Sequence, residues 1–593
     1  MLRKLATSLG LGSLALILVG VDLVLGLRGT LSRVFTLAEL LLVVPWLATV
    51  RAPKQATELG RGEEPPALHK RLLTVVVPVV MILACVYAKW SVLDGASAAG
   101  DAARLEYQAS YRTYAVVALV LSLVGLVGAY RVHQFLAKMA DHPARLMLVS
   151  FGLLAMLGGV LLTLPQSLRD PSHASLVDGL FTATSAVCVT GLAVNTIPEA
   201  YTPFGQAVLL VLIQVGGLGI MVLSAFFAIV VGQRMRARAT AVMAEMIDAD
   251  SFVSFRRTVL TIVIATLFVE GVGALALWGL FSGYYDAGFG PEQATPLSGP
   301  GDLRWAAVFH SVSAFCNAGF SIFRDGMVPF VGSPAVCAII MLLIVVGGIG
   351  FPVLEELARN AYTRLRRQRP PRLTLHARAV LTTTAALLVA GTVLLLPLEW
   401  GASMGHLSIP SKLLAALFQS VTLRTAGFNT VDFAAMRPAT LFVACVFMLV
   451  GGSPGSTAGG IKTTTLFVLV GALRAELAGF AKPRMLGRSL GQSTVRRATA
   501  LAFLSVLLVS IVVFALLLVE PKDPHRLLFE AVSAFGTAGL TAGVTPSLGV
   551  PGKIVIMVTM FIGRVGPMTL ALALAAKSAT QNIELPEERL GIG

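Results

Sequence analysis

The sequence predicts an all-α polytopic membrane protein in which four helix–pore-loop–helix repeats stand in pseudo-fourfold arrangement, preceded by about four extra transmembrane helices. Three observations predict it. Apolar residues make up 56% of the chain and charged ones 13%, and apolar runs recur that are long enough to cross a hydrocarbon core about 30 Å thick. Four stretches are versions of one another: 180–196 (LFTATSAVCVTGLAVNT), 308–324 (VFHSVSAFCNAGFSIFR), 417–433 (LFQSVTLRTAGFNTVDF) and 528–546 (LFEAVSAFGTAGLTAGVTP). Basic residues gather in short connections between the apolar runs.

Each related stretch runs from an apolar, small-residue-rich segment of helical character into a non-helical strip with one glycine, at Gly191, Gly319, Gly427 and Gly539. The glycines are 128, 108 and 112 residues apart, so one unit recurs about four times.

In chain order, an extension over 1–144 holds apolar spans 8–26, 34–50, 72–93 and 113–132. Repeat 1 (145–235) has spans 146–165 and 205–232 around a re-entrant segment at 176–192. Repeat 2 (236–357) has 255–281 and 334–354 around 304–320. Repeat 3 (358–476) has 376–398 and 438–474 around 412–428. Repeat 4 (477–580) has 497–519 and 550–575 around 525–540, and 581–593 forms a cytoplasmic tail. Arg3 and Lys4 before an apolar stretch resemble a signal peptide, but no AxA-like site follows, and the reading is a retained first helix.

Charge placement sets the topology. Arg234, Arg236, Arg238, Arg256 and Arg257 lie between the sixth and seventh spans. Arg359, Arg364, Arg366, Arg367, Arg369, Arg372 and Arg378 lie between the eighth and ninth, and Lys482, Arg484, Arg488, Arg496 and Arg497 between the tenth and eleventh. All three connections read as cytoplasmic, and they share one side only if the pore-loop segments dip in and return. Both termini are then cytoplasmic.

The same placement disposes of the net charge of +15 as a nucleic-acid signal; lipid, not nucleic acid, is the expected partner. Cys85, Cys188, Cys316, Cys337 and Cys445 show no CxxC spacing, so neither a zinc site nor a disulfide framework is indicated. No HExxH pair, Walker A or GxGxxG fingerprint is present; the reading is not an enzyme, with no cofactor in the chain.

Non-helical backbone at membrane depth is tolerated only inside protein or along a watery cavity, so four glycine strips at matching depth imply a pore. Small-residue helix packing is the alternative, and it is the preferred account of a second feature. A double glycine follows each strip at Gly216–Gly217, Gly347–Gly348 and Gly451–Gly452, with Gly563–Arg564 in the fourth repeat.

TSAVCVTGL, SAFCNAGF, SVTLRTAGFNT and AFGTAGL, with GGSPGSTAGGIKTTT and GRVGPMTL, resemble the Trk/Ktr/HKT superfamily of potassium and sodium transporters, nearest to its bacterial TrkH/KtrB branch. The likeness covers roughly 145–575; the four helices before it depart from the family's eight-span core. It implies a channel-like potassium uptake subunit of the bacterial cytoplasmic (inner) membrane. Its filter would be Cys188, Val189, Thr190 and Gly191; Cys316, Asn317, Ala318 and Gly319; Thr425, Ala426 and Gly427; and Thr537, Ala538 and Gly539. Potassium would be held by backbone carbonyls, which replace its water, with the carboxyl ends of the re-entrant helices adding attraction. Within the superfamily a serine in the first repeat goes with sodium and glycine with potassium; the residues alone say only monovalent cation, so a sodium or unselective transporter stays open, as does sodium as an activator. A homodimer and a cytoplasmic nucleotide-binding regulatory subunit are the implied partners.

The segment 451–465 opens with Gly451, Gly452, Pro454, Gly455, Gly459 and Gly460, a density that a continuous helix tolerates badly. By the resemblance it is an intramembrane gating loop, with Ser453, Ser456, Thr457 and Lys462 below the filter; a simple kink is the alternative. Arg564 within an apolar span costs at least about 2.5–3.5 kcal/mol and normally faces a cavity or partner. The family reading puts it beneath the filter, against that loop; a snorkelling arginine is the alternative. Glu270 and Asp22 read as capped or pore-distal, Arg424 as a brace for its strip, and Asp178 and Glu530 as compensating helix dipoles.

Overall fold

The computed structural model describes residues 143–170, 175–219, 252–286, 300–480 and 482–567. The extension helices, the tail, Asp22 and the connection 234–251 lie outside the described residues.

Each repeat is a long or inner helix, a short re-entrant helix, a strip and an outer helix. Repeat 1 comprises α1 (Pro143–Leu162), α2 (Leu176–Val187), a short α3 (Ile197–Ala200) and α4 (Pro203–Gly217). Repeat 2 has α5 (Phe252–Asp286), α6 (Pro300–Phe315), α7 (Pro334–Ile349) and α8 (Phe351–Leu365). Repeat 3 has α9 (Leu375–Glu399), α10 (Ile409–Thr422), α11 (Pro438–Leu449) and α12 (Thr463–Leu477). A two-strand ribbon, β1 (Arg484–Met485) with β2 (Arg488–Ser489), precedes α13 (Gln492–Val519), α14 (Pro524–Gly536) and α15 (Val550–Val565) of repeat 4.

The helix starts follow from local chemistry. Ser175, Thr202, Ser333 and Thr374 each accept a first-turn amide with their side chains, and proline sits in the first turn of α4, α7, α10, α11, α14 and α15, where no amide donor is missed. At 12–16 residues, the re-entrant helices reach about 18–24 Å and fall short of a bilayer core. By contrast Leu260–Gly283, Leu375–Glu399 and Gln492–Val519 are long and apolar enough to cross. Their outward faces carry side chains such as Phe268 and Phe503, each 70% exposed, which suits a lipid surround and not water.

The outer helices differ from the sequence expectation of unbroken spans. α4 stops at Gly217, α7 at Ile349 and α15 at Val565, each followed within two residues by a glycine of positive φ, Gly219 (+89°), Gly350 (+98°) and Gly566 (+89°). At Gly350 the chain turns by 107° into α8. The expected span 438–474 breaks after Leu449 and resumes at Thr463, so the non-helical segment ends three residues before the 465 expected.

Packing between repeats runs in a cycle. α4 of the first repeat packs on α6 of the second, α7 on α10 of the third, α11 on α14 of the fourth, and α15 back on α2 of the first. The closing contact carries an ion pair between Lys553 and Asp178 (2.6 Å).

Candidate functional site

The four re-entrant helices end in the same backbone device. Val189 (φ +55°), Asn317 (+59°), Thr425 (+69°) and Thr537 (+51°) are left-handed, and two residues later come Gly191 (+98°), Gly319 (+69°), Gly427 (+79°) and Gly539 (+76°). Left-handed φ costs an L-residue about 1–2 kcal/mol, and such strain gathers at functional sites. One hydrogen bond recurs at each turn: the amides of Thr190, Ala318, Ala426 and Ala538 donate to the carbonyls of Ser185 (2.7 Å), Ser313 (2.8 Å), Thr422 (3.0 Å) and Ser533 (2.8 Å). The third re-entrant helix is one residue shorter between its phenylalanine and its glycine, and Thr422 takes the place the serines hold elsewhere.

The strips meet one another head to side. A β-carbon on Gly191 would overlap the carbonyl oxygen of Ala318, one on Gly319 would lie 2.7 Å from that of Ala426, one on Gly427 3.2 Å from that of Ala538, and one on Gly539 would overlap that of Thr190. Each glycine therefore faces the carbonyl of the residue before the next repeat's glycine, and the fourth returns to the first. Only a residue without a side chain fits this close approach. Apart from thiols, the strip side chains are not ionisable, and among the described residues the buried hydroxyls of Thr190, Thr425 and Thr537 have no hydrogen-bond partner.

The first glycine of the double-glycine feature serves packing in three repeats. β-Carbons at Gly216, Gly347 and Gly563 would overlap the carbonyl oxygens of Val187, Phe315 and Phe535, four residues before each strip glycine. The second position looks toward the strips: Gly217 abuts the Cys316 side chain and Gly348 that of Asn317. Arg564 occupies this position in the fourth repeat, where a large side chain stands in place of the glycine the others have.

The segment 450–462 lies at the deep end of the strips. Gly459 abuts the Thr537 side chain and Gly451 lies near that of Thr425. Thr457 Oγ1 donates toward the carbonyls of Gly347 (3.2 Å) and Phe315 (3.4 Å), and the Ser453 amide donates to Gly348 (3.0 Å). Lys462 Nζ donates to Ala458 (2.6 Å), the amide of Gly451 to Ile461 (2.9 Å), and the Ser453 and Thr463 hydroxyls pair at 3.0 Å. Arg564, 5% exposed, donates to the carbonyls of Thr457 in this loop and Gly216 in repeat 1. Ser456 turns back on Ser453 (2.7 Å), while Pro454 and Gly455 pack at Gly350 and Pro352. Gly452 and Gly460 stand at the two ends of the loop, where Gly452 accepts the Thr463 amide (3.1 Å).

Three further side chains bear on the sequence reading. Of the two roles expected for Glu270 the geometry fits the capped one: it accepts from Gln214 Nε2 (3.0 Å), and it lies 3.7 Å from the Cys316 thiol of the second strip. Arg424 is buried, but among the described residues its Nε and Nη2 have no hydrogen-bond partner, so these atoms brace nothing. Asp178 does lie in the first turn of α2, yet it also pairs with Lys553. A carboxylate's partner 56 residues away in sequence, as Gln214 is from Glu270, leaves no local signal.

The TrkH family, described as cation transport protein, matches residues 136–584. The chain is 35% identical over 453 residues to the Ktr system potassium uptake protein B of Bacillus subtilis, covering 76% of this chain and 97% of that one. Identity is 38% over 451 residues to the same-named protein of Vibrio alginolyticus, covering 76% and 94%. It is 35% over 458 residues to the potassium/sodium uptake protein NtpJ of Enterococcus hirae, covering 76% and 97%. In fold the chain is similar to the potassium transporter TrkH from Vibrio parahaemolyticus, with a TM-score of 0.56 at 18% identity, over 86% of this chain and 99% of that one.

Proposed function

This chain belongs to the TrkH family of cation transport proteins, and from that premise we propose that it takes up potassium across the bacterial cytoplasmic membrane through a filter of backbone carbonyls at its four glycine strips. The observation that carries the reading is the closed cycle in which each strip glycine faces the carbonyl-bearing residue of the next repeat. A dehydrated monovalent cation needs several oxygens at once. The sign of φ alternates along each strip, which turns successive peptide planes and lets carbonyls share one side. The re-entrant helices end at these strips, so their negative ends add attraction without a fixed charge.

Beneath the filter, the loop 450–462 and Arg564 act as the gate. A guanidinium at the deep end of the strips repels a cation leaving them, and its hydrogen bond to Thr457 holds the loop in place. The driving force is the membrane potential, about 2.3 kcal/mol for one charge through 100 mV. Both termini and the basic connections face the cytoplasm, where a nucleotide-binding regulatory subunit docks, and the working unit is a homodimer. Sodium as a second cargo or activator is favoured by one observation, the likeness to a relative named for potassium and sodium uptake. Rubidium uptake into proteoliposomes under a potassium gradient, competed by potassium and by sodium, tests the reading: uptake blocked by potassium and spared by sodium supports it, and no uptake by correctly folded protein refutes it.

A further inference from the structure

One buried position in each re-entrant helix is polar although neither the strips nor the gate uses it. Thr182, His310, Gln419 and Glu530 each directly follow a phenylalanine, eight or nine residues before the strip glycine, and none is more than 1% exposed. Polar groups so buried are costly unless paired. Three of the four, His310, Gln419 and Glu530, are paired with the same thing, the segment that leaves the strip on its far side. His310 Nδ1 lies 2.7 Å from the Ala306 carbonyl, so it carries the proton, and Nε2 accepts from Ser321 Oγ at 2.9 Å. Ser321 Oγ in turn takes the Phe323 amide at 2.9 Å. Gln419 Nε2 donates to the Val431 carbonyl at 2.9 Å.

Glu530 makes the largest set. Its Oε1 accepts from the Thr541 hydroxyl (2.5 Å) and the amides of Ala542 (3.1 Å) and Val544 (3.3 Å), and Oε2 from the Thr545 hydroxyl (2.6 Å). It stands in the middle of α14, and these partners replace the helix-dipole role the sequence suggested. Irregular backbone at membrane depth must find its partners inside the protein, and this carboxylate supplies them to the exit segment of repeat 4.

We infer that His310, Gln419 and Glu530 are positioning residues that clamp the outer side of three of the four strips, with Glu530 the principal one, and that ion discrimination depends on them. The inference rests on the proposed function. The deep side of each strip is already fixed by its recurring amide-to-carbonyl bond, so a strip tied at both ends keeps its carbonyls at one spacing. With the outer tie lost, the strip widens or turns, and ions of different size are no longer told apart.

Glu399 provides the control. It is equally buried and also takes four hydrogen bonds, but those from the Ser403 amide and hydroxyl hold the turn after α9, and those from the Arg437 amide and the Thr440 hydroxyl hold the start of the outer helix α11, ten or more residues past the strip glycine. The potassium-to-sodium permeability ratio of the purified full chain in proteoliposomes is the readout. Glu530→Ala is expected to lower it at least fivefold, and Thr541→Val and Thr545→Val about twofold each. Glu399→Ala is expected to lower the thermal midpoint and leave the ratio within twofold. Should Glu530→Ala not fold, the two threonine variants decide. An unchanged ratio in folded Glu530 or threonine variants, with Gly427→Ser still altering it, overturns the clamp; an unchanged ratio in Gly427→Ser as well overturns the filter reading instead.

Discussion

Arg564 donates a hydrogen bond to the backbone carbonyl of Thr457, 107 residues earlier in the chain. The bond joins the outer helix of repeat 4 to the loop that interrupts repeat 3, and a second bond from the same guanidinium to Gly216 carries the contact on to repeat 1. Hydrogen bonds from charged donors contribute about 1.5–3 kcal/mol each. Shifting a two-state gate by about 1.4 kcal/mol changes its opening tenfold.

Arg564→Ala is therefore expected to raise unregulated cation flux about tenfold, and deletion within 453–460 to raise it comparably, with ion selectivity retained in both. Together they should give less than the product of the single effects, since contacting residues couple. Flux through reconstituted single and double variants checks this. Independent effects, or lower flux in folded protein, would leave Arg564 as an anchor and the loop as a kink.

Gly563→Ala tests the close packing of outer on re-entrant helix. Its β-carbon would overlap the Phe535 carbonyl oxygen, backbone that cannot step aside cheaply, and overpacking of this kind costs about 1–3 kcal/mol. A lowered thermal midpoint in detergent is expected. Gly271→Ala, where a β-carbon meets nothing within 4 Å, should leave it unchanged.

The connection between α8 and α9, with Arg366, Arg367, Arg369 and Arg372, should be cytoplasmic, and residues 400–410 should face outward. Single cysteines placed in each, treated with an impermeant thiol reagent in intact cells, are expected to label only in 400–410. Labelling of 366–372 from outside would reverse the topology and remove the re-entrant account.

Much of the architecture was legible because it repeats. The re-entrant helices fall within a few residues of the expected segments, since four related stretches each end at a glycine and short apolar helices with capped starts have few other ways to fold. The breaks at Gly219, Gly350 and Gly566 were not legible. A glycine in an apolar run reads as a packing position, and only the tertiary path reveals that its φ is positive. The equivalence of Arg564 with Gly217 and Gly348 was legible as spacing, but the space it fills exists only once four repeats close on one another. The partner of Glu270 was not legible because Gln214 belongs to another repeat. Glu530 was misread because its position near the start of a helix suggested a local role, whereas its four donors lie 11 to 15 residues onward.

The central claim is that the four glycine strips select the ion, and the potassium-to-sodium permeability ratio in proteoliposomes tests it most directly. Serine at Gly191 must adopt φ +98° with its β-carbon against the Ala318 carbonyl oxygen, and serine at Gly539 meets that of Thr190. The account predicts that Gly191→Ser, Gly319→Ser, Gly427→Ser and Gly539→Ser each lower the ratio by tenfold or more in protein that still inserts and folds. Four folded variants with the wild-type ratio and flux would contradict it and place the ion path elsewhere.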